Sequence, residues 1–105
     1  MAVPFALSLP LLGIDADGRE RLVRVRIDAP HQVAAAEWSC AVSLPGWEDA
    51  PRAIINVDGL GALMLAIRFA QARMKSFEDR GGRWFDPESR EPWPVAVYFA
   101  ALGAA

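Results

Sequence analysis

The chain has 105 residues, a formal net charge of −2, and a composition that is 53% hydrophobic and 23% charged. This length fits a single domain, residues 1–105, and the composition is that of a folded chain rather than a disordered one. The small negative charge provides no overall field that would attract nucleic acid or an anionic membrane, so any such binding would need a local patch.

The N-terminal segment alternates apolar residues from Val3 to Leu9 with residues that include Pro4 and Pro10. This alternation predicts a strand with one buried face, and the prolines place it at a sheet edge or break it. The segment lacks the basic start and the cleavage site of a secretory signal. Because Arg68 interrupts the longest apolar run, no run reaches the ~20 residues of a membrane-spanning helix. We therefore expect a cytoplasmic protein.

A turn and three strands follow. The Asp15–Gly18 segment (DADG) predicts a hairpin turn, because its glycine accepts positive φ and its aspartates can bond nearby backbone N–H groups. The return strand is predicted at Arg21–Asp28, a loop around His31 follows, and the next strand is predicted at Glu37–Leu44. Arg52–Val57 is a further short strand. The predicted buried faces of the two longer strands hold Val23, Val25, Ile27, Trp38, Cys40, Val42 and Leu44.

The longest predicted element is a helix that begins after Asp58, a plausible N-cap, and stops at Arg80–Gly82 (RGG). Its apolar residues fall into two stripes at ~100° per residue. The first, expected to pack on the sheet, contains Leu60, Leu63, Met64, Ile67 and Met74. The second contains Ala62, Leu65, Ala66 and Phe69. Either the C-terminal segment Val95–Phe99 or a second copy of the helix is expected to cover this second stripe.

The remaining sequence predicts two more extended segments, Arg83–Phe85 (RWF) and Val95–Phe99 (VAVYF), separated by a proline-rich surface loop. The elements together predict an α+β domain, with an antiparallel sheet of four to six strands and one long helix packed across one face.

Few residues offer chemistry. Cys40 is the only cysteine and His31 the only histidine, so no intramolecular disulfide can form and Cys–His nucleophilic catalysis is the one pairing to consider. Cys40 shares its strand face with apolar residues, which favours an inert, buried thiol, and His31 is predicted to be solvated. The Asp15–Gly18 turn fails as a calcium loop, since Arg19 replaces the next expected oxygen ligand and Arg26 holds the position of the bidentate glutamate. We therefore expect no catalytic residues, no metal site, no cofactor and no enzyme activity.

Six residues are candidates for contact with a partner. The two loop tryptophans can anchor a partner or fold back on the sheet, the two helix residues belong to the second stripe, and the two arginines lie on the polar face of a strand. In that order they are Trp47, Trp93, Leu65, Phe69, Arg24 and Arg26.

The Trp38–Cys40 element and the helix start Val57–Ile67 (VDGLGALMLAI) resemble those of a bacterial family of small domains of unknown function. Members of that family have a Trp-x-Cys strand, a helix start of the form Gly-Val-Asp-Ala-x-Gln-Ala-Leu-x-Leu-Ala-Leu, and a late tryptophan that corresponds to Trp84. The resemblance covers Leu22–Phe85. It implies a single helix packed on an antiparallel sheet, an arrangement shared by some immunity proteins that neutralise bacterial toxins.

The chain differs from that family pattern on both sides of the helix start. Asn56 stands where the family has glycine, and Gly61 stands where it has glutamine.

Two functional classes remain open. The first is a non-catalytic protein-interaction domain, such as a bacterial immunity or regulatory partner protein, which binds a protein partner or forms a homodimer. The second is a small-ligand-binding or accessory-enzyme domain with an apolar pocket between helix and sheet. Nucleic-acid binding through the strand from Arg19 to Arg26 ranks third, because Glu20 and Asp28 dilute its charge. No membrane contact is expected.

Overall fold

The computed structural model describes residues 5–100 and confirms the predicted α+β class. The elements are β1 (Phe5–Ile14), β2 (Glu20–Asp28), β3 (His31–Ala34), β4 (Glu37–Leu44), β5 (Glu48–Asn56), α1 (Gly59–Asp79), β6 (Arg83–Phe85) and α2 (Val95–Tyr98). α1 packs across one face of the sheet, mainly over β4 and β5.

The six strands form one antiparallel sheet in which β6, β1, β2 and β4 are neighbours in that order. β4 also pairs with β3 and with β5. β2 and β3 pair with successive parts of β4. Ile27 of β2 lies opposite Val42, and His31 of β3 lies opposite Ser39, with a register shift of one residue between the two ladders. β2 and β3 therefore lie end to end along one edge of β4, and β5 takes the other edge. Within residues 5–100, no further strand pairs with the outer side of β5.

The predicted hairpin turn at Asp15–Gly18 is confirmed. The Asp15 side chain accepts hydrogen bonds from the backbone N–H groups of Asp17 and Arg19, both at 3.0 Å, and Gly18 has a φ of +83°. These bonds lower the pKa of Asp15, chiefly through the N–H of Arg19, because they stabilise the carboxylate.

The predicted helix ends are also confirmed. The Asp58 carboxylate accepts a 2.6 Å hydrogen bond from the backbone N–H of Gly61, as an N-cap does. At the other end, Gly81 has a φ of +92°, and the N–H groups of Gly81 and Gly82 bond the carbonyls of Glu78 and Phe77. This is a Schellman motif, which satisfies carbonyls that the helix leaves unpaired.

The predicted sheet side of the core is confirmed, except that Trp38 is only half-buried. Its fully buried members are Val23, Val25, Ile27, Cys40, Val42 and Leu44, and Leu11 of β1 joins them.

The predicted helix side of the core is wrong in part. Leu60 is 69% exposed and Met64 is also exposed, whereas Leu63 and Ile67 are half-buried and only Met74 of the first stripe is buried. The buried positions of α1 are Ala62, Ala66, Ala70, Met74 and Phe77. The small alanine side chains let the helix backbone approach the sheet closely, so the larger residues flank the contact line instead of occupying it.

Three other predictions are corrected. The segment around His31 is strand β3 rather than a loop, and Val95–Tyr98 is a short helix rather than a strand. Pro94 precedes this helix as its N-cap residue, and a proline with its fixed φ suits the start of a helix. β5 starts at Glu48, four residues before the predicted strand. The predicted irregularity of the first strand appears as a register shift between Phe5 and Leu7; Val3 and Pro4 lie outside the described residues.

Candidate functional site

The flank of α1 that faces β5 carries Phe69, which is half-buried. The Arg52 guanidinium carbon lies 5.3 Å from the centre of the Phe69 ring. Phe69 and Arg52 also line a groove of about 450 Å³ between helix and sheet edge. Phe69 thus packs against β5 of its own chain, and the segment Val95–Phe99, one of the two predicted covers, does not line this groove. Leu65, one helical turn earlier, remains 45% exposed.

An ion pair ties α1 to β5 beside this groove. The Arg73 Nε donates to the Glu48 carboxylate at 2.8 Å, and a second Arg73 nitrogen contacts the other Glu48 oxygen. The hydrogen bonds to Glu48 raise the pKa of Arg73. The Arg73 guanidinium also lies over the Trp47 ring, whose centroid is 5.2 Å from that of Phe77. Trp47 therefore folds back on the core as a half-buried side chain.

The outer edge of β5 combines a bulge with a regular segment. Between Leu44 opposite Glu48 and Val42 opposite Arg52, β5 has two more residues than β4, so it bulges there. From Arg52 to Asn56 the pairing with β4 is regular. Ile55 in this regular segment is 50% exposed. The backbone groups on the outer side of the segment have no strand partner among residues 5–100.

Exposed apolar side chains continue this edge toward the helix. Val57 follows β5 directly and is exposed. With Ile55 of β5 and Leu65 on the flank of α1 toward β5, it forms what we call the β5 apolar edge: Ile55, Val57 and Leu65.

The two candidate arginines lie elsewhere, on the sheet face opposite α1. Arg24 donates to the Ser8 hydroxyl at 2.8 Å, and Arg26 donates to the Asp28 carboxylate at 3.1 Å. Arg21 is opposite Gly13, on the other face, and pairs with Asp15. The arginines of β2 therefore do not form one continuous cationic surface.

Trp93 lies on the other flank of α1. Its ring stacks on Tyr98 with a centroid distance of 4.1 Å. The two rings line an apolar groove of about 220 Å³ together with Ile67 and Met74 of α1. The C-terminal segment thus covers the Ile67 side of the helix and not the Leu65 side, for which it was one of the two predicted covers.

The only cysteine and the only histidine of the sequence lie on opposite faces of the sheet. Cys40 is fully buried, and its thiol donates to the Asp28 carbonyl at 3.1 Å. Burial raises the pKa of this thiol, and the negative charge of Asp28 adds to the effect. His31 is exposed and pairs with Ser39, the neighbour of Cys40, so His31 and Cys40 point to opposite faces.

Across 5–100, no group of three or more His, Cys, Asp or Glu side chains is placed to hold a metal ion. In the same range, no helix combines the length and apolar character that crossing a membrane requires.

The sequence predicted the strand at Arg52–Val57 but not its place at the sheet edge. Alternation shows which face of a strand is buried, whereas the order of strands depends on pairings between distant segments. Pro51 just before the regular segment was the one local signal, because proline within sheets is confined to edges and bulges.

Comparison with known proteins gives one result. The profile of a family described as Domain of unknown function (DUF6968) matches residues 11–95, a longer range than the Leu22–Phe85 resemblance. No curated protein and no solved structure matches the sequence significantly. Since the match spans most of the chain, this protein belongs to the DUF6968 family, a domain of unknown function.

Proposed function

We propose that this domain is a non-catalytic protein-binding module whose partner adds a strand to the outer edge of β5. The observation that carries the proposal is the segment Arg52–Asn56 beside the β5 apolar edge, which pairs regularly with β4 and has no strand partner on its outer side within residues 5–100. An open strand edge is a template for another strand, because its N–H and C=O groups match an extended backbone. The exposed side chains nearby supply apolar contact area.

The part of β1 before Leu12 pairs with β2 on one side only, and its other side is a poorer template for an added strand. Pro10 lies in the β1–β2 ladder opposite Arg24, and proline has no N–H with which to continue a ladder. The segment Arg52–Asn56 contains no proline and has β-branched residues at Ile54 and Ile55. This contrast favours β5 as the binding edge.

Support for a non-catalytic role comes from the chemistry of the side chains. The Cys40 thiol is buried with a raised pKa, which disfavours the thiolate that nucleophilic catalysis requires. His31 lies on the opposite face of the sheet and cannot act as its base. A bacterial immunity or regulatory partner protein is the class that this proposal favours, by analogy at the level of the fold.

Site-specific photocrosslinking in native cell extract tests the proposal. A photoreactive residue replaces Ile55 in one variant and Leu22 in a control, since Leu22 is exposed on the same face of the sheet but lies on β2, between β1 and β4. We expect one protein to crosslink stoichiometrically at position 55 and not at position 22. Equal labelling at both positions, or none at position 55, would contradict strand addition at β5.

A second candidate function is binding of a small apolar ligand in the groove beneath Trp93 and Tyr98. Its volume of about 220 Å³ lies below the ~300–1,000 Å³ of typical ligand pockets, so only a small ligand would fit. Native mass spectrometry of freshly purified protein tests this function, which predicts a co-purifying small molecule that Trp93→Ala removes.

A further inference from the structure

We propose that the strand added to β5 is the β5 strand of a second copy of this chain. The two strands would pair antiparallel about a two-fold axis at Ile54, perpendicular to the sheet. This inference rests on the proposed function and names its partner.

The regular segment is self-complementary in this register. Ile54 lies opposite its own copy, Ala53 opposite Ile55, and Arg52 opposite Asn56, so all five regular residues find partners. On the sheet face away from α1, Ala53 of one copy lies opposite Ile55 of the other, so a small exposed residue faces a large exposed one. No like charges face each other, because the two Arg52 residues stand four positions apart, about 13 Å at ~3.3 Å per residue.

The axis is also compatible with the faces of the sheet. A two-fold axis perpendicular to the sheet keeps both copies of α1 on the same side. Cross-strand partners must then occupy the same face, which requires their numbers to differ by an even number. The register at Ile54 satisfies this condition, and it pairs more of the Arg52–Asn56 segment than registers centred on Ala53 or Ile55. The bulge before Arg52 limits the ladder at one end.

In this dimer the two copies of α1 cover Leu65, the exposed apolar side chain on the flank of α1 toward β5. α1 packs over β4 and β5, so two copies would lie about 10–14 Å apart at ~4.8 Å per strand. Packed helices are ~8–10 Å apart, and the two Leu65 side chains would fill the difference. Leu65 is on the flank of Phe69, toward β5, and is 45% exposed in the single chain. A second copy thus supplies for Leu65 a cover that residues 5–100 of one chain leave incomplete.

Sedimentation velocity from about 5 to 500 μM tests the oligomeric state, a range chosen because a small interface gives a weak, dissociable dimer. The variants are Ile55→Lys and the matched control Val33→Lys, because Val33 is also β-branched, 48% exposed and on a strand. We expect the wild type and Val33→Lys to dimerise and Ile55→Lys to stay monomeric at least tenfold beyond the wild-type midpoint. Circular dichroism of each variant checks that it is folded.

Disulfide trapping tests the register. Ala53→Cys and Ile55→Cys proteins are mixed and oxidised, with the buried Cys40 left in place. The register at Ile54 predicts a covalent heterodimer from the mixture and little from either variant alone, since only unlike positions are directly opposite. Efficient crosslinking of either variant with itself overturns this register.

The outcomes separate the two proposals. A wild type that is monomeric at 500 μM, or a dimer that Ile55→Lys leaves intact, overturns the second copy as partner. In either case a different protein crosslinked at position 55 in extract would still support strand addition. If position 55 crosslinks to nothing, the proposed function fails as well.

Discussion

Asn56 and Gly61 share one small space at the first turn of α1. A Cβ atom on Gly61 would lie 2.9 Å from the Asn56 side-chain Cγ, closer than real Cβ contacts. The resemblance pattern has glycine at position 56 and glutamine at position 61. The two departures from that pattern are therefore a single exchange of volume between positions in contact, which the sequence could not show because the residues belong to different elements.

This contact makes the two positions energetically coupled. Gly61→Gln alone should lower the free energy of unfolding by about 1–3 kcal/mol, because it overpacks the space that Asn56 fills. In the Asn56→Gly background the same change should cost at least 0.5 kcal/mol less, the size of coupling expected for residues in contact. Urea unfolding of the wild type, the two single variants and the double variant measures this coupling free energy.

Ala72→Gln is the control for glutamine in this helix, since Ala72 is exposed. It should change stability by no more than about 0.5 kcal/mol. Strict additivity of the Asn56 and Gly61 changes would show that the two side chains do not compete.

Because the Cys40 thiol is buried, we expect it to react slowly with thiol reagents. The native protein should react with a disulfide reagent at least about a thousandfold more slowly than the guanidinium-unfolded chain, because a core strand must open first and opening costs most of ~5–15 kcal/mol. Stopped-flow measurement at pH 8 compares the two rates. A native rate equal to the unfolded rate would mean that Cys40 is accessible.

The same burial has a pH dependence. The folded pKa of Cys40 is raised above its unfolded value of about 8.5. The contribution of this thiol to stability is therefore fully present below the unfolded pKa and is lost as pH rises through the folded pKa.

At the scale of elements, the caps of α1 were predictable and its buried stripe was not. Asp58 and Gly81 act through neighbours within a few residues, so local sequence contains the whole signal. The stripe depends on how closely the helix approaches the sheet. The sequence prediction placed the large apolar residues Leu60 and Met64 against the sheet. The close approach of the helix instead buries the smaller Ala62 and the alanines that follow it at four-residue intervals.

Two substitutions distinguish the predicted stripe from the observed one. Ala66→Leu adds three carbon atoms where the helix meets the sheet and should destabilise the protein by about 1–3 kcal/mol, despite the favourable helix propensity of leucine. Leu60→Ala removes the same atoms from a side chain that is 69% exposed and should change stability by at most about 0.5 kcal/mol. Thermal and urea unfolding measure both effects, and the reverse order would restore the stripe predicted from sequence.

At the scale of the molecule, α1 has two flanks that are covered differently. The flank toward β5 ends in Leu65, which the single chain leaves exposed, and the flank toward β1 is covered by the segment that contains Trp93 and Phe99. The sequence predicted that the apolar excess of α1 needed extra cover. It could not assign each cover to a flank, because Val95–Phe99 has strand-forming residues and yet forms a helical turn after Pro94.

The C-terminal cover can be tested by removing its largest side chain. Trp93→Ala should lower the free energy of unfolding by about 2 kcal/mol, roughly half the cost for a fully buried tryptophan, because Trp93 is half-buried. It should also enlarge the groove beside Ile67 and Met74, so that 8-anilinonaphthalene-1-sulfonate fluorescence rises under native conditions. Val97→Ala is the matched control in the same segment, since Val97 is exposed and should contribute little. Equal losses from both substitutions would mean that the segment contributes through its helical turn and not through contact of Trp93 with α1.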